Sequence, residues 1–171
     1  MRDAFGGAFM LKLFLVFIFV YICFTAVALN YAKAFKVKNV IIEYLESNEI
    51  PSIDSISARD LEKFSDFIDE EILGNYNYNM SEYNMCNGQH IQYITENGKT
   101  VGLCHEAGII IMESGRAENT EGVYYTVSTF LGWNIGFLNK LTELNGNNQK
   151  PGVVTGTWRI SGETRLIVSK N

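Results

Sequence analysis

Hydrophobic positions are distributed very unevenly along this chain. From Leu13 to Ala32 there are 20 consecutive residues without a formal charge, most of them Leu, Phe, Val, Ile or Ala. A helix of that length is about 30 Å long, which matches the hydrocarbon core of a bilayer. Because the run is apolar on every side, it has no face suited to water. The pattern predicts a short cytoplasmic leader over residues 1–12 and a transmembrane helix over residues 13–32.

The same run has one alternative interpretation, a cleavable signal peptide. Ala26-Val27-Ala28 has the A-x-A form that signal peptidase recognises. The apolar core is longer than the roughly 7–15 residues of a cleavable signal, which favours an anchor that stays. Lys12 and Lys33 flank the run, and a lysine at such a position reaches the membrane edge with its ammonium group. We therefore predict that these two lysines mark the membrane edges.

Helical periodicity continues beyond the apolar run. Between Phe35 and Leu45 apolar residues recur on one side of a helix that is expected to end near Ser47. A second helix is expected after Ser57, which forms a capping-box pattern with Asp60, and Gly74 is a plausible end. Residues 33–74 are therefore predicted to be a helical stem. The apolar face of the second helix consists of Leu61, Phe64, Ile68 and Ile72. Its acidic face, which is expected to be solvated, consists of Glu62, Asp66, Asp69 and Glu70.

After residue 74 the pattern changes from helix to strand. Asn97-Gly98, between apolar-rich arms, is a strong hairpin signal, and β-branched and aromatic runs follow it. A second hairpin is expected to turn at Ser161-Gly162, after a segment with helical spacing between Ile135 and Leu144. The predicted fold class is α+β, with a long N-terminal transmembrane helix, a stem helix and an antiparallel sheet of four to six strands over residues 75–171. Three aromatic residues are expected to pack in that sheet: Tyr124, Phe130 and Trp158.

Charge separates the remainder of the chain from its start. Residues 39–171 contain 9 Lys and Arg against 18 Asp and Glu. Such an acidic surface argues against nucleic acid and anionic lipid as partners. Charges flanking the apolar run nearly balance, with a slight excess that favours a cytoplasmic carboxyl side, so they do not fix the orientation. The short leader before a long apolar run is typical of a signal-anchor, and we expect a single-pass protein of the cell membrane with its C-terminal domain outside.

Two of the three cysteines lie in the predicted outer domain. Cys86 and Cys104 are 18 residues apart, and an even pair in an oxidising compartment favours a disulfide. Two free thiols, or a metal site shared with His90 and His105, are the alternatives. The metal alternative has poor spacing, because the adjacent Cys104 and His105 would point apart on a strand. Cys23 lies in the apolar run, where it is expected to be a small apolar residue.

Catalytic signals are sparse in this sequence. It contains no G-x-S-x-G, no H-E-x-x-H and no G-x-x-x-x-G-K motif. A Cys–His nucleophile can be imagined from the cysteine and histidine pairs, but nothing in the sequence indicates an activated thiolate. We predict a protein that is not an enzyme, with no catalytic residues, no metal and no cofactor.

The overall layout resembles that of type IV pilin-like proteins. Three segments are similar to TadE-like minor pilins and related small membrane proteins of Firmicutes: MRDAFGG, LNYAKAFKVKN and VVTGTWRISGETRLI. The resemblance implies a structural role in a pilus or an envelope secretion machine, with other pilin-like subunits or assembly-platform proteins as partners. It also implies cleavage by a prepilin-type peptidase between Gly7 and Ala8. The helix would then pack on sister helices through Phe17, Val20 and Phe24.

One position departs from the pilin pattern. Pilins commonly have Glu at the fifth position after the cut, where it is thought to neutralise the amino terminus of a neighbouring subunit, and here that position is Lys12. A lysine would repel that terminus, so a minor pilin or an uncut pilin-like anchor is favoured over a major filament subunit. The alternative function is a single-pass membrane-anchored module whose sheet binds an extracellular ligand.

Overall fold

The first element is a single long helix. The computed structural model describes residues 2–50, 52–81, 86–87, 89–116, 122–134 and 155–168. Helix α1 covers Arg2–Ser47, so it ends where the sequence predicted and also includes most of the predicted leader. From Gly7 to Ser47 it is long enough and apolar enough to cross a membrane. The chain divides into two units, Met1–Ala32 and Lys33–Asn171.

The second unit begins with helices. The last part of α1 buries a stripe at helical spacing, and a short 3-10 helix follows at Ile53–Ser55. Helix α2 covers Ala58–Phe67 and continues as a π-helix over Ile68–Asn75. The predicted cap is confirmed, because the Ser57 side chain accepts a hydrogen bond from the backbone N–H of Asp60 at 3.1 Å. The buried residues of these helices are Ala34, Val37, Ile41, Leu45, Phe64, Ile68 and Ile72.

Six antiparallel strands form one sheet in the described residues. Along the sheet β1 to β5 are neighbours in chain order, and β6 pairs with the start of β4. The Asn97-Gly98 hairpin is confirmed: these two residues join β1 to β2 with φ of 52° and 77°, the left-handed values of a type I′ turn. The strands are β1 (Ile91–Glu96), β2 (Lys99–His105), β3 (Ile109–Arg116), β4 (Gly122–Asn134), β5 (Thr155–Glu163) and β6 (Ile167–Val168).

The end of α1 packs on one face of this sheet. Thr129 of β4, which is fully buried, donates a hydrogen bond from Oγ1 to the carbonyl of Ala34 at 2.9 Å. Further along the chain, residues from the end of α1, from the following helices and from the sheet form an apolar cluster, so the helices and the sheet share one core. Its members are Leu45, Ile50, Ile53, Ile56, Phe64, Leu103, Ile111 and Tyr125.

The predicted turn at Ser161-Gly162 is wrong. Both residues lie inside β5, where Ser161 pairs with Ser128 and Gly162 pairs with Val127. The glycine has a packing role, because a Cβ at this position would lie 2.8 Å from Nζ of Lys38. A glycine inside a strand here marks the close approach of a buried lysine side chain.

Two of the three expected packing aromatics, Tyr124 and Trp158, are exposed rather than part of the core. Trp158 is 57% exposed, Tyr124 is 36% exposed and Phe130 is half-buried. Among the β4 aromatic residues whose side chains the structure describes, Tyr125 is the fully buried one. Two tyrosines in succession do not show which of them faces the core, because a shift by one residue exchanges the two faces of a strand. The predicted helical segment between Ile135 and Leu144 lies outside the described residues.

Replacing Ile41 by Ala should destabilise the second unit strongly. Ile41 is fully buried in the stripe of α1, so the change removes apolar contacts and leaves a cavity. The expected loss is about 2–5 kcal/mol in the free energy of unfolding. Ile42→Ala is the matched control, since its side chain is only half-buried. Denaturant unfolding of the full chain in detergent, followed by near-UV circular dichroism, measures the free energy of unfolding of both variants. Equal losses of stability in Ile41→Ala and Ile42→Ala would contradict the packing described.

Candidate functional site

The predicted packing residues of the apolar helix are all exposed in the single chain. Phe17, Val20 and Phe24 are 68%, 58% and 72% exposed, and their spacing places them on one side of α1. Gly7 and Ala8 lie within the same helix. Whether the chain is cut between them stays a prediction, as does the placement of Lys12 at a membrane edge.

Lys33 belongs to the second unit. Its ammonium group donates a hydrogen bond to the carbonyl of Asn77 at 2.6 Å. Asn77 has φ of 48°, which favours Asn over most other side chains. Lys33 therefore fastens the segment after the π-helix to α1, and its position at a membrane edge stays a prediction.

The predicted disulfide is confirmed. Cys86 and Cys104 are bonded, and both are buried, while Cys23 is a free cysteine exposed on α1. The bond rules out both alternatives that the sequence left open, namely two free thiols and thiolate ligands for a metal. It joins the segment just before β1 to the end of β2. Gln89 reinforces this arrangement, because its backbone N–H donates to the carbonyl of Cys86 at 3.0 Å.

Both histidines of the chain meet next to this disulfide. His90 directly precedes β1 and His105 ends β2, and their ring centroids are 4.6 Å apart with the rings edge to face. Strand pairing explains the approach, because Ile91 pairs with His105 and the backbone N–H of Glu106 donates to the carbonyl of His90 at 3.0 Å. Alternation along β2 separates Cys104 from His105, as the sequence indicated.

His90 lies between two carboxylates. Its Nδ1 is 2.8 Å from Oε1 of Glu106, and its Nε2 is 3.4 Å from Oδ2 of Asp69. Nε2 also shares a hydrogen bond with Oγ of Ser65 at 3.0 Å. The hydrogen bond to Glu106, with the charge of Asp69, raises the pKa of His90 despite some desolvation. The two carboxylates therefore favour a positive charge at the His90 ring, one beside each of its nitrogens.

His105 is different because it is buried, with 2% of its surface exposed. Its Nδ1 accepts a hydrogen bond from the backbone N–H of Ala107 at 3.2 Å. Its Nε2 is buried and has no hydrogen-bond partner among the described residues, the nearest carboxylate oxygen being Oδ1 of Asp69 at 3.9 Å. Burial, with the neighbouring His90, lowers the pKa of His105 to about 4. The ring is therefore neutral at pH 7.

Asp69 completes the cluster, and the sequence analysis missed it. The acidic residues of the second helix were expected to be a solvated face, and Asp69 is indeed 43% exposed at its side chain. However, it lies at the second position of the π-helix and points its carboxylate at both histidines. π-Helical segments are uncommon and occur often at functional sites. No local sequence signal marks Asp69, because its partners are 21 and 36 residues away.

The cluster of Asp69, His90 and His105, called the histidine cluster below, can hold positive charge. One ligand atom from each residue lies within 4.8 Å of the others. Neutral imidazole nitrogens and a carboxylate oxygen are donors that bind either protons or metal ions. Ser65, His90 and Glu106 also form a hydroxyl–imidazole–carboxylate chain, with Oγ of Ser65 3.0 Å from Nε2 of His90 and Nδ1 of His90 2.8 Å from Oε1 of Glu106. The arrangement is suited to binding a cation.

Comparison with protein-family models, with curated proteins and with solved structures finds no match to this chain. The class of protein is therefore defined by its own geometry. A long apolar helix of membrane-spanning length is followed by a small α+β domain with one disulfide and a histidine cluster.

Removing the disulfide should destabilise the second unit. The bond closes a loop between residues that are 18 apart, and a loop of that length contributes about 3 kcal/mol in the chain-entropy treatment. We expect the double variant Cys86→Ser/Cys104→Ser to lose roughly that amount, measured by denaturant unfolding of the full chain in detergent. Cys23→Ser is the control, expected to change the free energy of unfolding by less than about 0.5 kcal/mol. A double variant as stable as the parent would contradict a structural role for the bond.

Proposed function

We propose that this protein is a membrane-anchored structural subunit of a pilus or a related envelope secretion machine, acting through helix–helix packing. The observation that carries the proposal is a change of environment along α1. Residues such as Phe17 and Phe24 are exposed in the single chain, whereas Val37 and Ile41 further along the same helix are fully buried. An apolar helix without a partner of its own requires lipid, sister helices or both.

The resemblance to TadE-like minor pilins supports the structural part of this proposal. A pilin-like subunit needs an apolar helix that assembles and a small folded domain that accompanies it. Here the same helix provides a membrane-length segment and the stripe that packs on the sheet. The partners are other pilin-like subunits or assembly-platform proteins, and the protein performs no catalysis.

The disulfide supports an outside location for the second unit. Disulfides persist in oxidising compartments and are rare in the cytosol. Cys86 and Cys104 lie in the second unit, and nothing in the flanking charges forbids its translocation. The protein is then a single-pass component of the cell membrane with its C-terminal domain outside.

A binding module is the second candidate, and one observation favours it. An open cleft of about 390 Å³ lies between the 3-10 helix and the end of the sheet where β2 begins and β3 ends. It carries charges of both signs, so it suits a polar ligand or a polar segment of a partner protein. Its lining residues are Asp54, Lys99, Thr100, Val101, Glu113, Ser114 and Gly115.

Charge on the exposed face of α1 separates the two candidates. Phe17→Glu and Val20→Glu should abolish assembly with partner subunits, because a carboxylate inside a helix–helix contact in the bilayer costs several kcal/mol. The second unit should stay folded, because these positions belong to the first unit. Pull-down of membrane partners from the native host measures assembly, and near-UV circular dichroism measures folding.

Leu15→Glu is the matched control for that experiment. It places the same charge two residues from Phe17, on the other side of the helix. Assembly that survives Leu15→Glu and fails with Phe17→Glu supports packing through the face of Phe17, Val20 and Phe24. Normal assembly by all three variants would reject the helix-packing proposal and favour the binding module.

The mature protein should begin at Ala8 if a prepilin-type peptidase processes it. The intact mass of protein purified from native membranes should then correspond to residues 8–171. Gly7→Leu should block the cut, because the resemblance places Gly7 directly before the scissile bond. A mass that lacks residues through Ala28 would instead identify a cleaved signal peptide and remove the anchor, while the full-length mass would leave an uncut anchor.

A further inference from the structure

The histidine cluster has the properties of a metal site rather than of an ordinary surface. We propose that Asp69, His90 and His105 bind a divalent transition-metal ion of the zinc class, with Glu106 orienting His90. This inference is independent of the proposed assembly role. It rests on three features of the cluster: the convergence of its donor atoms, an unpartnered buried nitrogen and a carboxylate behind the exposed ring.

The first feature is the convergence of three donors from three separate elements. Asp69 comes from the π-helix, His90 from the segment before β1 and His105 from the end of β2. Their ligand atoms lie within 4.8 Å of one another. In a tetrahedral zinc site with bonds of 2.0–2.1 Å the donors are about 3.3 Å apart. The 3.4 Å between Nε2 of His90 and Oδ2 of Asp69 already meets that value, and the others require small side-chain movements.

The second feature is the buried nitrogen of His105. A buried polar atom normally has a hydrogen-bond partner, and those that lack one call for an explanation. Nε2 of His105 has none among the described residues and faces the carboxylate of Asp69 at 3.9 Å. With the ring proton on Nδ1, a cation between these two atoms would satisfy both.

The third feature is the hydrogen bond between His90 and Glu106. A metal-binding histidine usually donates its other ring N–H to a carboxylate or carbonyl, which fixes the tautomer and the ring orientation. Nδ1 of His90 is 2.8 Å from Oε1 of Glu106, so Nε2 is directed at Asp69. In the metal-free protein a proton occupies this position when His90 is charged. A metal ion would replace that proton and displace the Ser65 hydroxyl from Nε2.

One contact opposes metal binding and limits the affinity. Nδ1 of His105 accepts a hydrogen bond from the N–H of Ala107, so the neutral ring carries its proton on Nε2. Coordination through Nε2 needs the other tautomer, and the Ala107 N–H must then turn away from Nδ1. The site loses one hydrogen bond on binding, and we therefore expect moderate affinity rather than that of a structural zinc site.

The donor set decides the class of metal. Two imidazole nitrogens and one carboxylate suit zinc, copper or nickel, whereas calcium and magnesium prefer oxygen donors. Two ligands are partly exposed, with 48% of the His90 side chain and 43% of the Asp69 side chain accessible, so a metal ion can enter from solvent. Three protein donors also leave a fourth position for water or for a donor from a partner.

Zinc titration of the full chain tests the proposal. The protein is purified in detergent with its disulfide intact and without a histidine affinity tag, and Zn²⁺ is titrated against a chromophoric chelator. We expect one Zn²⁺ per chain that an equal concentration of Ca²⁺ does not displace. His90→Gln and Asp69→Asn should each weaken binding at least tenfold, and Glu106→Gln should weaken it about 10–100-fold.

Two controls keep the experiment decisive. Asp66→Asn removes an acidic side chain one turn before Asp69 and should leave zinc affinity unchanged. His105→Gln should weaken zinc binding. Because this change alters a buried position, near-UV circular dichroism checks that the variant folds. If His105→Gln does not fold, the half-exposed variant His90→Gln provides the test instead. No Zn²⁺ binding up to about 100 µM would overturn the proposal. Equal affinities of the parent and His90→Gln, or displacement by Ca²⁺, would also overturn it.

Discussion

The second unit depends on the burial of one stripe of α1. Ala34, Val37, Ile41 and Leu45 face the sheet, and each is at most 3% exposed. A sheet of short strands with one apolar face needs a partner layer, and here the partner is the continuation of the apolar helix. The hydrogen bond from Thr129 to the Ala34 carbonyl fixes the helix along the sheet. A fragment that began after Ser47 would lack this layer and expose the core.

The same packing brings the histidine cluster together. Phe64, Ile68 and Ile72 are buried, and they hold α2 and the π-helix in place. Tyr44 of α1 stacks on Phe67 with ring centroids 4.1 Å apart, which fixes the helix immediately before Asp69. The disulfide holds the other half of the cluster, because it joins the segment that carries His90 to the strand that carries His105. Packing and a covalent bond therefore preorganise the cluster, while its exposed side chains remain accessible.

Elements with a local signal could be predicted, and those defined by tertiary contacts could not. The length of α1, the Asn97-Gly98 turn and the pairing of Cys86 with Cys104 each follow from a pattern within a short stretch of sequence. The π-helical geometry after Phe67 has no such pattern, because the apolar spacing fits an α-helix equally well. The role of Asp69 depends on partners from β1 and β2. A lone acidic residue on a polar face gives no indication of them.

The redox state around the second unit determines which donor atoms lie near the two histidines. In an oxidising compartment Cys86 and Cys104 are consumed by the disulfide, and the donors that remain near His90 and His105 are nitrogen and oxygen. In a reducing compartment both cysteines would be thiols, and thiolates bind zinc more strongly than a carboxylate does. Cys104 would then compete with Asp69 for the metal, although strand alternation directs it away from His105. The disulfide thus serves the histidine cluster twice, by holding its two histidines close and by excluding sulfur ligands from their vicinity.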